Sequence, residues 1–216
     1  KTGYMVNIFN KYNYNITGID KSEAMISRSK KNYPNYNFIH GNIMSSNTLE
    51  FESYSHILCL DKSIYEIKDK EQFIKNCINL LTLKGYLIIH IVDKNNFNPY
   101  TKNNKTVYNP ENYDKKITKK VIKFNDDNEF ILKYNVTNLT KTNELTENVL
   151  PYSKYKYSFI NYDTYNTKEY EFNMYLTDTN KIINIIEANN MKLIKKIIIS
   201  QKKYNSQYLY VFIKND

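Results

Sequence analysis

Two continuous apolar runs constrain this chain most: HILCLD at residues 56–61 and GYLIIHIVD at 85–93. A strand with one wet face alternates apolar and polar residues, whereas a run that is apolar at nearly every position needs cover on both faces. Between the two runs, Asp69 followed by Gln72 reads as a capping box, and Phe73, Ile74, Cys77, Ile78 and Leu81 form one wide apolar stripe. Gly85 stops that helix. Strands of this kind alternating with helices of this length imply an α/β fold, with a parallel sheet covered on both faces.

The same alternation extends upstream. Tyr4–Tyr12 reads as a helix with Met5, Ile8 and Phe9 on one face, and NITGID at 15–20 as a short β-branched strand. Ser22 caps a second helix that carries Ala24, Met25, Ile26 and Tyr33 inward and ends at Pro34. NFIH at 37–40 is a third strand, closed by a turn at Gly41–Asn42.

After Asp93 the pattern changes. Residues 94–116 are polar, contain Pro99 and Pro110, and read as a loop. ITKKVIKF, FILKYNVTNL and EYEFNMYL then look like antiparallel strands with one wet face, with turns resting on Asn and Asp, as at 125–128. Segment 94–177 is therefore expected to be an inserted antiparallel cover within a single domain spanning 1–216. Asp178 begins a last helix with Ile182, Ile183 and Ile186 inward, and 191–200 and 207–214 form a closing hairpin.

Composition narrows the function classes. The net charge of +9 invites a nucleic-acid reading, but of 31 basic residues only Arg28 is arginine. Arginine is the preferred bidentate partner of phosphates and guanine edges, so nucleic acid is not favoured as a partner. No run approaches the roughly 20 apolar residues of a membrane helix. Cys59 and Cys77 lie in apolar surroundings and are expected to be buried, reduced thiols, as suits the cytosol. No His–carboxylate cluster suggests a metal, and His40, His56 and His90 sit in strand patterns, which reads as structural.

The opening stretch carries the chemistry. Gly3 in a loop, a helix, then a strand ending on Asp20 is the order that α/β proteins use to hold a nucleoside. Together with TGIDKSEAMI at 17–26, GNIM at 41–44, HILCLDKSIYEI at 56–67 and NLLTLKGYLIIHI at 79–91, the chain resembles the class I S-adenosylmethionine-dependent methyltransferases over residues 1–93 and 178–216. The resemblance implies a Rossmann-like doubly wound sheet, mostly parallel, with a C-terminal antiparallel hairpin. It implies S-adenosyl-L-methionine as cofactor and methyl transfer to an acceptor that could be a small molecule, a protein or RNA. It also implies that the first strand of the family's sheet lies upstream of Lys1.

By the same resemblance, Gly3 would lie beside the methionine part of the cofactor and Asp20 would accept from both ribose hydroxyls. Lys21 would flank the adenine edge above Met25, and Asn42 and Ile43 would meet the adenine, Asn42 standing where the family has Asp. Leu60 and Asp61 would approach the methionine moiety. No catalytic residue is fixed in this family; Asp61, Tyr65, Glu66 and Asp93 stand at strand ends where an acceptor could bind. Two other readings stay open. Tyr152 and Lys156 spell the Y-x-x-x-K pair of NAD-dependent short-chain dehydrogenases, which requires a helix there. The chain could also be a methyltransferase-like module that binds a partner without catalysis.

Overall fold

The computed structural model describes residues 2–45, 48–92, 118–124, 128–138, 153–161, 167–199 and 207–216. Asp93, the polar stretch 94–116, the turn at 125–127, Tyr152 and the hairpin link at 201–206 fall outside them.

Helix α1 (Tyr4–Lys11) leads into β1 (Thr17–Asp20), helix α2 (Glu23–Asn32) and β2 (Asn37–His40). β1 and β2 pair in parallel, Asp20 opposite His40. This two-stranded sheet has its own small core of Val6, Ile26 and Phe38. Its narrow face explains two differences from the sequence reading. Val6 rather than Met5 is the buried side chain of α1. In α2 only Ile26 and Ser29 are buried, while Ala24 and Met25 face solvent. Two strands cover only one narrow line of each helix, so the flanking positions of an apolar face stay wet.

β3 (Tyr54–Cys59), a 3-10 turn (Ser63–Glu66), α3 (Lys70–Leu80) and β4 (Leu81–Val92) build the main body. After four further strands, α4 (Thr179–Ala188), β9 (Met191–Ile198) and β10 (Gln207–Lys214) complete it. The sheet order is β3-β4-β10-β9, with β3 parallel to β4 and β10 antiparallel to both of its neighbours. This is the expected mostly parallel sheet with a C-terminal antiparallel hairpin. No ladder joins β1 to β3 among the described residues, so the parallel strands lie in two sheets. The main core sits between this sheet, α3 and α4, and includes Ile74, Cys77, Leu87, Ile89, Ile182, Ile186 and Phe212, each fully buried.

Helix α3 shows how local and distant signals divide. Asp69 caps it, its Oδ1 accepting from Gln72 N–H at 2.9 Å. The return half of the box is absent, since the Gln72 amide donates to Asn76 instead. The helix ends at Leu80, five residues before the expected stop at Gly85. Its last carbonyls are taken by partners remote in sequence. Glu52 N–H binds Asn79 O, Ser53 N–H binds Leu80 O, and Lys214 Nζ binds Ile78 O and Leu81 O. Orphan carbonyls satisfied this way end a helix without a glycine. Gly85 lies inside β4, where a Cβ would stand 2.8 Å from Thr82 O. Asp69→Ala is expected to cost about 1 kcal/mol through loss of the cap, measurable by urea denaturation.

The inserted strands β5 (Thr118–Phe124), β6 (Asn128–Asn138), β7 (Ser153–Asn161) and β8 (Thr167–Met174) form a separate antiparallel sheet in simple sequential order. Three of the four match the expected antiparallel runs. The fourth, β7, lies in the Tyr-rich stretch around Lys156, which the sequence marks as loop or strand and not as helix. Lys156 lies inside β7, so the Y-x-x-x-K spacing does not fall on the helix that the dehydrogenase reading requires.

Candidate functional site

The two parallel strand pairs each present a carboxyl end, and the residues singled out from the sequence collect there. At the first, Asp20 closes β1 and its carbonyl accepts from Gly41 N–H at 3.0 Å. The Asp20 carboxylate is half-buried, and its Oδ1 accepts from Ser22 N–H at 2.9 Å. Burial acts to raise its pKa, but hydrogen bonding, including that from Ser22, and nearby positive charge, including Lys21, hold it below the ordinary carboxylate value. An ionised, acceptor-only group thus stands at the strand end.

Lys21 is tied at its backbone, its carbonyl lying 3.1 Å from His40 Nε2. The Asn42 side-chain oxygen accepts from Met44 N–H at 3.0 Å, and the Asn42 carbonyl takes Ser45 N–H. This turn is self-capped, which explains an Asn at the position: its amide oxygen serves the backbone here, with a lone pair to spare. Ile43 follows, and its carbonyl accepts from Asn76 Nδ2 at 2.9 Å. Ile43 and Met44 pack against the main core, so the 41–45 loop ties the β1–β2 pair to α3. Beside Ile43 a shallow groove runs along α3, lined by Thr48, Phe51, Asn76 and Leu80. Met25, expected beneath the same region, is 41% exposed.

Gly3 begins α1 at φ 78°, a left-handed conformation. A Cβ there would lie 2.8 Å from Phe38 Cζ and 3.0 Å from Tyr33 Cδ2. Backbone geometry and packing on the protein's own rings both require glycine at this point. Gly3→Ala is expected to lose at least about 1–2 kcal/mol from the left-handed backbone alone, with the ring contacts adding to it. A denaturation midpoint unchanged by this substitution would contradict the geometry.

At the second strand end, Leu60 follows β3 and the chain turns sharply. Asp61 and Lys62 are both left-handed, at φ 55° and 65°. Two consecutive strained residues without glycine mark a position where the surrounding structure dictates the backbone. Asp61 is exposed, whereas Lys62 is 6% exposed. Nothing in the sequence pattern marked Lys62, since a basic residue after a strand reads as surface.

Tyr65 and Glu66, also considered from the sequence, separate in the structure. Glu66 is exposed. Tyr65 is 1% exposed, and its hydroxyl donates to Val92 O at 2.9 Å and accepts from Val92 N–H at 3.0 Å. It is a buried strut, with both capacities of its hydroxyl taken by backbone. Lys70 was also missed. It is 5% exposed, and Nζ donates to Ile67 O at 2.8 Å and Tyr175 O at 2.9 Å. Burial pushes its pKa down to about 8, against the opposing pull of Cys59. Cys59 and Cys77 are buried and form no disulfide, and burial drives the Cys77 thiol well above its ordinary value. His90, buried in β4, meets Gln207 at 3.1 Å, and His56 stacks on Tyr86.

Residues 1–89 match the family described as a methyltransferase domain. The fold is the Rossmann-like one of the class I methyltransferases. Solved structures agree with that fold along nearly the whole chain. The sugar N-methyltransferase KedS8 from Streptoalloteichus is similar with a TM-score of 0.69 at 12% identity, over 100% of this chain and 77% of that one. CalS10, an amino pentose methyltransferase from Micromonospora echinaspora solved with S-adenosylmethionine bound, gives 0.64 at 9% identity, over 99% and 80%. An S-adenosylmethionine-dependent methyltransferase from Clostridium acetobutylicum gives 0.62 at 14%, over 94% and 76%. No curated protein matches the sequence.

The residues present suit S-adenosylmethionine, which the similar CalS10 structure holds. Asp20 is a low-pKa acceptor able to bind a vicinal diol, and Asn42 and Ile43 offer an amide oxygen and an apolar face to a purine.

Proposed function

We propose that the protein transfers a methyl group from S-adenosyl-L-methionine to the amino group of a small polar molecule of the amino-sugar kind, in the cytosol. The match of residues 1–89 to a methyltransferase domain carries the reaction class. In this reading Asp20 binds the ribose hydroxyls and Lys21 flanks the adenine. Asn42 and Ile43 meet the base, and Gly3, Leu60 and Asp61 line the methionine end.

The acceptor class is supported by two neighbours. KedS8 is named for sugar N-methylation and CalS10 for an amino pentose, and each aligns with 99% or more of this chain, the inserted β5–β8 sheet included. We assign segment 94–177 the acceptor side of the site. The scarcity of arginine argues against RNA, with one Arg among 31 basic residues. The cytosolic assignment is supported by the buried Cys59 and Cys77, which form no disulfide.

When bound, the cofactor supplies a methyl group already activated on a sulfonium. The protein's part is to align the acceptor in line with it and exclude water. An amine acceptor reacts only when neutral, so transfer to it is expected to rise with pH up to the acceptor's own pKa.

The test is transfer of isotope-labelled methyl from S-adenosylmethionine to a panel of amino sugars, neutral sugars, total RNA and protein. Label on amino sugars alone supports this reading. Label on RNA or protein, with none on the amines, replaces the acceptor class while keeping the reaction. Binding of the cofactor with no transfer to any lysate component favours a non-catalytic module.

A further inference from the structure

In sequence, strands β5–β8 lie between Val92, the last residue of β4, and Tyr175, which follows Met174 of the main core. Both of these residues have their backbone groups held, and the holders come from one short stretch. The Tyr65 hydroxyl pairs with Val92 N–H and C=O. The Tyr65 carbonyl accepts from Tyr175 N–H at 2.7 Å. The Tyr175 carbonyl accepts from Lys70 Nζ, which also binds Ile67 O. Val92 and Tyr175 are thus both fastened to the stretch 65–70, and β8 touches the 3-10 turn that contains Tyr65.

That stretch continues directly from the strained turn at Asp61–Lys62. Ser63 N–H binds Leu60 O and Tyr65 N–H binds Lys62 O, so the turn and the Tyr65 strut share consecutive hydrogen bonds. A shift of Asp61 therefore moves the anchor shared by the end of β4 and the residue after β8. A buried lysine whose only role is to fill space is a poor choice, because methionine would avoid desolvating an amine. Lys70 supplies what methionine cannot, donors to two carbonyls from segments far apart in sequence.

We propose that Tyr65 and Lys70 are positioning residues: they clamp the end of β4 and the residue after β8 to the loop after β3, so that a ligand at Asp61 sets the acceptor-side sheet through β8. The clamp is read from geometry, and its coupling to the ligand rests on the cofactor reading above.

Hydrogen exchange of the full chain tests it, with Tyr65→Phe and Lys70→Met as variants. Tyr65→Phe removes one atom and keeps the buried ring. Without ligand, both variants should speed exchange in β5–β8 by about 10-fold or more, while α3 and β10 change by less than about 2-fold. With saturating S-adenosylhomocysteine, exchange in β5–β8 should slow in the unaltered protein. In the variants that slowing should vanish while the Kd stays within about 3-fold. A merely structural role for the two residues would not remove the ligand response. Unchanged β5–β8 exchange in both variants without ligand overturns the clamp. Binding that leaves β5–β8 untouched in the unaltered protein overturns the coupling, and the proposal with it. No binding of S-adenosylhomocysteine at all overturns the cofactor reading instead, and the ligand-free comparison then decides the clamp.

Discussion

Asp20→Ala is expected to weaken S-adenosylhomocysteine binding by about 2–3 kcal/mol, or roughly 30- to 150-fold in Kd. The carboxylate is held ionised at the end of β1, and in the proposed complex it accepts from both ribose hydroxyls. Its removal leaves two buried donors unpaired and deletes charge-assisted bonds. Asp20 also accepts from Ser22 N–H, so the variant should lose about 1 kcal/mol of folding stability as well. The two effects separate by measurement, calorimetry for the ligand and urea denaturation for the fold. Asp20→Asn keeps one acceptor oxygen and should fall between. An unchanged Kd in Asp20→Ala removes Asp20 from the site.

The second large effect concerns Lys70. Burial lowers its pKa to about 8 from the ordinary 10.5. The folded state then binds fewer protons than the unfolded chain between these values. Stability conferred through this residue therefore rises with pH across that window, the reverse of a lysine in a surface ion pair. The rise is about 3 kcal/mol in total, taken from the separation of the two pKa values. The neutral amine still donates to both carbonyls, so the hydrogen bonds survive the change. Other lysines and tyrosines titrate nearby, so the quantity to follow is the difference between the unaltered protein and Lys70→Met. That difference should shift by about 3 kcal/mol in favour of the unaltered protein between pH 7.5 and 10.5. A difference independent of pH would show that Lys70 titrates as a solvated lysine.

Much of the architecture was legible because its signals are local. Asp69 announces the start of α3, and apolar runs mark β3 and β4; β4 is buried or half-buried from Gly85 to Val92 as such a run requires, whereas in β3 only Cys59 is buried and His56 is exposed, so the expected cover on both faces is incomplete there. Asp178 likewise caps α4, its Oδ1 accepting from Asn180 N–H. What was misread depends on partners distant in sequence. The end of α3 is set by Glu52, Ser53 and Lys214. Tyr65 resembled a site residue until Val92, 27 positions on, took its hydroxyl. No sequence signal marks Lys70, because one of its two carbonyl partners, Tyr175, lies 105 positions on. The apolar faces of α1 and α2 were read too wide, because nothing local shows that β1 and β2 make a sheet of only two strands.

The site divides in the same way. Asp20, Asn42 and Asp61 were legible as residue types at strand ends. The left-handed backbone at Asp61 and Lys62 was not, since neither residue is a glycine. Gly3 was legible as a glycine, but the reason for it lies in the rings of Phe38 and Tyr33 as well as in any ligand.

The central claim is that one cofactor site is built from the carboxyl ends of both parallel strand pairs. Amide chemical shifts followed while S-adenosylhomocysteine is titrated into the full chain test it most directly. The account expects saturable one-to-one binding, with the largest shifts at residues 3–4, 20–22, 41–44 and 60–62 together. Absence of binding, or binding whose shifts spare either the Asp20 end or the Asp61 end, would contradict it.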